Sequence, residues 1–188
     1  MGNRAIINIK GFTQASIYIQ WNGGASKVLG FVEEAHKRFR NTNDNYKNEF
    51  MFFNQLYSTL SDFFSSITCF SDSEEYDKFR EEGQMTFDKY NKCEPPSYST
   101  PVTYIDVSAR YSLYIMDYVC DEKMVSDNGI YTVELTDDSY TLTNSYEGSL
   151  TDSERFTELV NSDDYQNVLK FYKLKRVYLQ RMYQEQYS

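Results

Sequence analysis

Apolar and polar positions alternate at the start of the chain, then apolar ones recur every three or four residues, and this change of period sets out the first elements. Arg4 to Lys10 is rich in β-branched residues and Ser16 to Trp21 alternates back along it, which predicts a β-hairpin with its turn over Gly11 to Ala15. Asn22-Gly23-Gly24 then breaks the strand. From Ala25 to Arg40 the residues Val28, Leu29, Phe31, Val32, Ala35 and Phe39 fall at helical spacing, with Lys27, Glu33, Glu34, Lys37 and Arg38 on the other face. After the polar loop Asn41 to Asn45, a helix from Tyr46 to Ser65 is predicted as the central core helix. Its aromatic face holds Phe50, Phe53, Leu56, Tyr57, Leu60, Phe63 and Phe64.

Residues 71–94 are charged, with Tyr76, Phe79, Phe87 and Tyr90 as apolar anchors, and read as one or two surface helices ended by Glu94-Pro95-Pro96-Ser97. From Pro101 the period becomes two. Val102 to Ser108, Ser112 to Val119, Ile130 to Thr136 and Tyr140 to Tyr146 predict an antiparallel meander, with turns at Asp127-Asn128-Gly129 and Asp137-Asp138. Thr151-Asp152-Ser153-Glu154 has the pattern of a capping box, and Ser162-Asp163-Asp164 marks a further helix start leading to about Gln184. The expected fold is therefore one α+β domain over residues 1–188. An N-terminal β-hairpin and helices pack on an antiparallel sheet, with 71–100 an acidic helical insertion and 150–188 a C-terminal helical extension.

The aromatic content sharpens this picture: 18 Tyr, 13 Phe and one Trp build the core from rings. Because a buried tyrosine hydroxyl needs a partner, many of these rings belong at the edge of the core or on a contact surface. Charge divides along the chain. Residues 1–70 carry net +2, residues 71–165 net −15 and residues 166–188 net +4, within a total of −9. An acidic middle of that size repels phosphates and attracts basic surfaces, so direct nucleic-acid contact would have to use an end of the chain. The same charge also reads as a solvated face.

Cys69, Cys93 and Cys120 are odd in number and widely spaced, which argues against a disulfide framework and a zinc site. With no signal-like N-terminus and no apolar run of spanning length, a cytoplasmic location is expected. Candidate chemistry is sparse. His36, the only histidine, lies mid-helix beside Lys37 and Arg38, reads as a surface residue, and is tied to no nucleophile by any motif. Clusters such as Asp72-Glu74-Glu75-Asp77 lack the glycine and ligand spacing of a calcium loop. No enzyme activity, metal or cofactor is expected. Trp21-Asn22-Gly23-Gly24 delivers two glycines to a helix start, where backbone N–H groups could receive an anion; the alternative is a sharp turn with Trp21 in the core. The helix after Ser162 carries Lys170, Lys173, Lys175, Arg176 and Arg181 among aromatic residues, suited either to nucleic acid or to docking on the protein's own acidic segment.

Gly2-Asn3-Arg4-Ala5, followed by Ile17-Tyr18-Ile19-Gln20-Trp21-Asn22-Gly23-Gly24, resembles a family of small proteins of bacteriophages and other mobile elements. Its members begin GNRA and carry an IYLHWNGG-like strand end. Ile19 and Gln20 stand where that family often has Leu and His. Asp127-Asn128-Gly129-Ile130-Tyr131 looks like its DNGxY segment. The match covers roughly the first forty residues and this patch, and residues 71–100 and 150–188 look like additions. The resemblance implies a genomic setting and no established enzymatic activity.

These readings combine into an expected accessory protein of a phage or mobile element that inhibits a host nucleic-acid-binding protein, a CRISPR effector or restriction enzyme, by protein contact. Asp72, Glu74, Glu75, Asp77, Glu81, Glu82, Asp121, Glu122, Asp137 and Asp138 would occupy the partner's basic channel. The rival is a nucleic-acid-binding module built on the basic C-terminal helix.

Overall fold

The elements follow the order β1 (Ala5–Ile9), β2 (Phe12–Ile19), α1 (Ala25–Thr42), α2 (Glu49–Phe64), β3 (Leu113–Asp117), β4 (Ile130–Leu135), β5 (Tyr140–Asn144), β6 (Gly148–Ser149), α3 (Ser153–Val160) and α4 (Asp163–Gln186). They come from a computed structural model that describes residues 3–20, 22–42, 48–64, 113–120 and 127–186. The predicted helices of 71–94 and the strand Val102 to Ser108 lie outside the described residues.

The α+β reading with a C-terminal helix is borne out: six strands form one sheet in the order β3-β2-β1-β4-β5-β6. The sheet is mixed, however, because β1 and β4 pair in parallel, Ile6 opposite Ile130 and Ile9 opposite Val133. The expected meander holds for β4 and β5, but β3 pairs with β2 and is separated from β4 by two strands. Alternation gives the faces of a strand and not its neighbours. The first hairpin is also tighter than predicted. Phe12 belongs to β2, opposite Ile9, and its ring meets Phe53 of α2 at a centroid distance of 4.7 Å, leaving only Lys10-Gly11 as the turn.

Alternate strand residues face the helices. Ala5, Ile7, Ile9, Ile17, Ile19, Tyr131, Val133 and Leu142 form the main core with Phe31, Phe39, Phe52, Leu56 and Tyr172. Burying side chains of this size removes on the order of 25 cal/mol of unfavourable hydration per Å² of apolar surface, the main contribution to stability. The other face carries a smaller cluster of Ile6, Val119 and Ile130 with Tyr18 and Met116. β1 is thus buried on both sides, which explains its nearly continuous apolar run.

The central helix is α1 rather than α2, since α1 packs against α2, α3 and α4. Gly30 lets Val168 of α4 approach: a Cβ there would lie 3.0 Å from a Val168 methyl. Being covered from a second direction, α1 buries Lys27 and Glu34 from its expected polar face. Phe50, expected in the core, is exposed at the start of α2.

At the C-terminal helices the local signals divide. The capping box of α3 does not form: Asp152 is the N-cap without a side-chain cap, and Thr151 Oγ1 instead accepts a hydrogen bond from Leu142 N at 3.3 Å. Ser162 does cap α4, its Oγ accepting from Tyr165 N at 3.3 Å. No helix among the described residues is long and apolar enough to cross a membrane.

Candidate functional site

Three separated sequence patches meet at the end of the sheet where β1 and β4 begin and the chain enters α1. Gly23 N donates to Asn3 O at 3.0 Å, and the Tyr131 hydroxyl donates to Gly23 O at 2.8 Å. Asn128 donates to Arg4 O from both its backbone N and its Nδ2, each at 3.1 Å, and Nδ2 also donates to Asn3 Oδ1. Asn144 Nδ2 donates to Asn128 O at 2.8 Å, and Arg4 pairs with Asp127 at 3.3 Å. Asn3-Arg4, Asn22-Gly23-Gly24 and Asp127 to Tyr131 therefore form one hydrogen-bonded cluster. Two of its glycines, Gly23 and Gly129, are sterically required. A Cβ on Gly23 would lie 2.8 Å from the Ala5 Cβ and the Arg4 carbonyl carbon. Gly129, at φ +70°, would place one 2.4 Å from Ser145 Oγ.

Chemically the cluster offers hydrogen bonds and little else. Burial raises the Tyr131 phenol well above its ordinary pKa, with Glu147 adding to the effect, so it stays protonated as the donor to Gly23 O. Among the described residues no group of three or more His, Cys, Asp or Glu side chains could hold a metal ion. His36, read as a surface residue, is half-buried between Tyr140, at a ring distance of 5.1 Å, and Phe52; burial holds its pKa below the ordinary imidazole value. Cys120 is an exposed free thiol.

The opposite sheet face carries a second feature. Ser16 Oγ donates to Asn8 Oδ1 at 2.6 Å, Asn8 Nδ2 donates to Val119 O at 2.8 Å, and Val119 N donates to Ser16 Oγ at 3.0 Å. This closed ring satisfies both backbone polar groups of Val119 and pins residues 118–120 across the sheet. Beside it lies a depression of about 210 Å³ lined by Asn8, Tyr118, Cys120, Thr132 and Thr143, smaller than an ordinary small-molecule pocket. Toward the β3 edge, Tyr18 and Tyr114 stack at 4.6 Å. Tyr114 and Tyr118 remain 40% and 37% exposed on this face, whereas Ile115, 50% exposed and opposite Ile17, lies at the edge of the helix-covered face.

Of the predicted partner-binding residues, Asp137 and Asp138 are exposed in the β4–β5 turn, where Asp137 O accepts from Arg40 Nη1 at 2.7 Å. The six residues of β4, roughly 20 Å of strand, separate them from the motif cluster. Asp72, Glu74, Glu75, Asp77, Glu81, Glu82, Asp121 and Glu122 lie outside the described residues, as does Trp21. The basic helix docks internally, on α1 and α2: Lys175 pairs with Asp62 at 3.3 Å and Arg176 with Glu34. Residue-level reading missed the joining roles of Asn3, Asn144 and Tyr131. Only the separate motif patches hinted at them. It missed equally the stacked pair Tyr18–Tyr114, whose strand pairing alternation does not encode.

No protein-family model, curated protein or solved structure matches this chain significantly.

Proposed function

We propose that this is an accessory protein of a phage or mobile element that blocks a host nucleic-acid-handling machine, of the CRISPR-effector or restriction-enzyme kind, by protein contact. The observation that carries the reading is the exposed pair Tyr114 and Tyr118 on the open face of the sheet, beside the stacked Tyr18. Tyrosine presents large, rigid, amphipathic area at small entropic cost, and such rings dominate the energetics of protein interfaces. The net charge of −9, concentrated between residues 71 and 165, supplies long-range attraction to a basic partner. Asp137 and Asp138 contribute to it from the surface.

The rival, nucleic-acid binding by α4, loses two of its cations to internal pairs with Asp62 and Glu34. Among the described side chains of the helix Lys170 and Lys173 are exposed, set against a net charge of −15 over residues 71–165. The test is purification of the tagged protein from its bacterial host with nuclease treatment. A stoichiometric nuclease or effector that survives the treatment and dissociates as salt rises is the expected result. Recovery of nucleic acid alone would overturn the proposal.

A further inference from the structure

We infer that the depression on the open face of the sheet is a binding site for one uncharged sugar ring. Its floor is a row set by strand register: Asn8 of β1 stands opposite Thr132 of β4, and Thr132 opposite Thr143 of β5. Adjacent strands lie about 4.8 Å apart and opposed residues share a face, so three polar side chains line up across roughly 10 Å of sheet. Ile130, two residues before Thr132, adds apolar surface beside the row. The segment held by the Asn8–Ser16–Val119 ring brings Tyr118 and Cys120 to the border of the same space.

Hydrogen-bonding capacity is left over along this lining. Asn8, 3% exposed, gives one Nδ2 hydrogen to Val119 O and accepts from Ser16 at Oδ1, which leaves its second Nδ2 hydrogen without an acceptor among the described residues. Thr132 Oγ1 and the Tyr118 hydroxyl likewise make no hydrogen bond among the described residues. Thr143 Oγ1 makes only a 3.5 Å approach to Thr132 O, at the limit of a hydrogen bond. No charged side chain among the described residues lines the space, and the chain carries net −9, so a phosphate or carboxylate would find no counter-charge there. The volume of about 210 Å³ suits a single six-membered ring with its hydroxyls. A pyranose carries hydroxyls around its rim and an apolar C–H face, which complements donors and acceptors spread over three strands beside one aromatic wall. A nucleobase is polar only along its edges and calls for flat walls on both sides, whereas Tyr118 is the one aromatic side chain among the described lining residues. The inference goes beyond the proposed inhibitory contact and does not rest on it, although Tyr118 borders both surfaces.

The test is titration of the full-length protein with glucose, galactose, mannose and N-acetylglucosamine, read by amide and methyl NMR shifts. Glycerol controls for unspecific effects, and uridine serves as the rival ring. The expected result is a saturable response to at least one of the sugars, with a Kd on the order of 1 mM for so open a site and the largest shifts at Asn8, Thr132 and Thr143. Thr132→Val removes the central hydroxyl at equal size, keeps a β-branched residue in the strand, and should weaken binding about tenfold. Tyr118→Ala, at an exposed position outside the strands, tests the aromatic wall independently and should weaken binding similarly. The 6-phosphate of the sugar that binds should bind no better than the sugar itself. No saturable response to any of the sugars overturns the proposal, as do a response to uridine alone, tighter binding of the phosphorylated sugar, or an unchanged affinity in both variants.

Discussion

Gly23 and Gly24 are neighbours in sequence but meet different surroundings. A methyl at Gly23 would press on the Ala5 side chain and the Arg4 backbone at 2.8 Å, and neither can move without shifting β1. A methyl at Gly24 would meet only the Asn3 amide, at ordinary contact distance. Gly23→Ala is therefore expected to cost about 2 kcal/mol and Gly24→Ala to stay within about 0.5 kcal/mol, as measured by urea unfolding. His36 gives a pH dependence. Burial lowers its pKa, opposed by Glu33 and assisted by Arg40. Between the folded pKa and the ordinary value of 6.5 the unfolded chain binds more protons, so stability falls as pH drops through that window and is unaffected by this group above it. His36→Gln should flatten the slope of unfolding free energy across that window; an unchanged slope would remove His36 as its source.

At the scale of elements, α1 explains both what the sequence reveals and what it hides. Its 3.6-residue period locates the helix and the face with Val28, Leu29, Val32 and Phe39, all buried as expected. The burial of Lys27 and Glu34 is not legible, because a second covering helix adds a second buried face that polar residues occupy. Glu34 is 2% exposed and receives Arg38 Nε at 2.9 Å as well as Arg176. Removing it takes one of two carboxylate partners from Arg38, which keeps Asp62 and the Tyr172 ring 4.9 Å away. Glu34→Ala should accordingly destabilise by about 2 kcal/mol. Arg176→Ala, at a more exposed partner, should cost under about 1 kcal/mol. Equal losses in urea unfolding would contradict this ranking. Alternation likewise located β3, β4 and β5 without showing that β3 pairs with β2, just before the segment whose Val119 is held by Asn8 and Ser16.

At the scale of the whole molecule, the candidate site illustrates how function escapes linear reading. Asn3, Gly23 and Asn128 lie far apart along the chain, and only the fold makes them one hydrogen-bonded cluster. The family-like motif thereby acquires a structural explanation, as a joint between β1, α1 and β4. The proposed contact surface uses different residues, Tyr114 and Tyr118, which no motif marked. The most direct measurement is the salt-dependent affinity for the partner retained after nuclease treatment, compared between the wild type and a Tyr114→Ala/Tyr118→Ala variant shown to be folded. The account predicts tight binding at low salt that weakens as salt rises, and a loss of roughly 2 kcal/mol or more in the variant. An affinity unmoved both by salt and by the double substitution would contradict it.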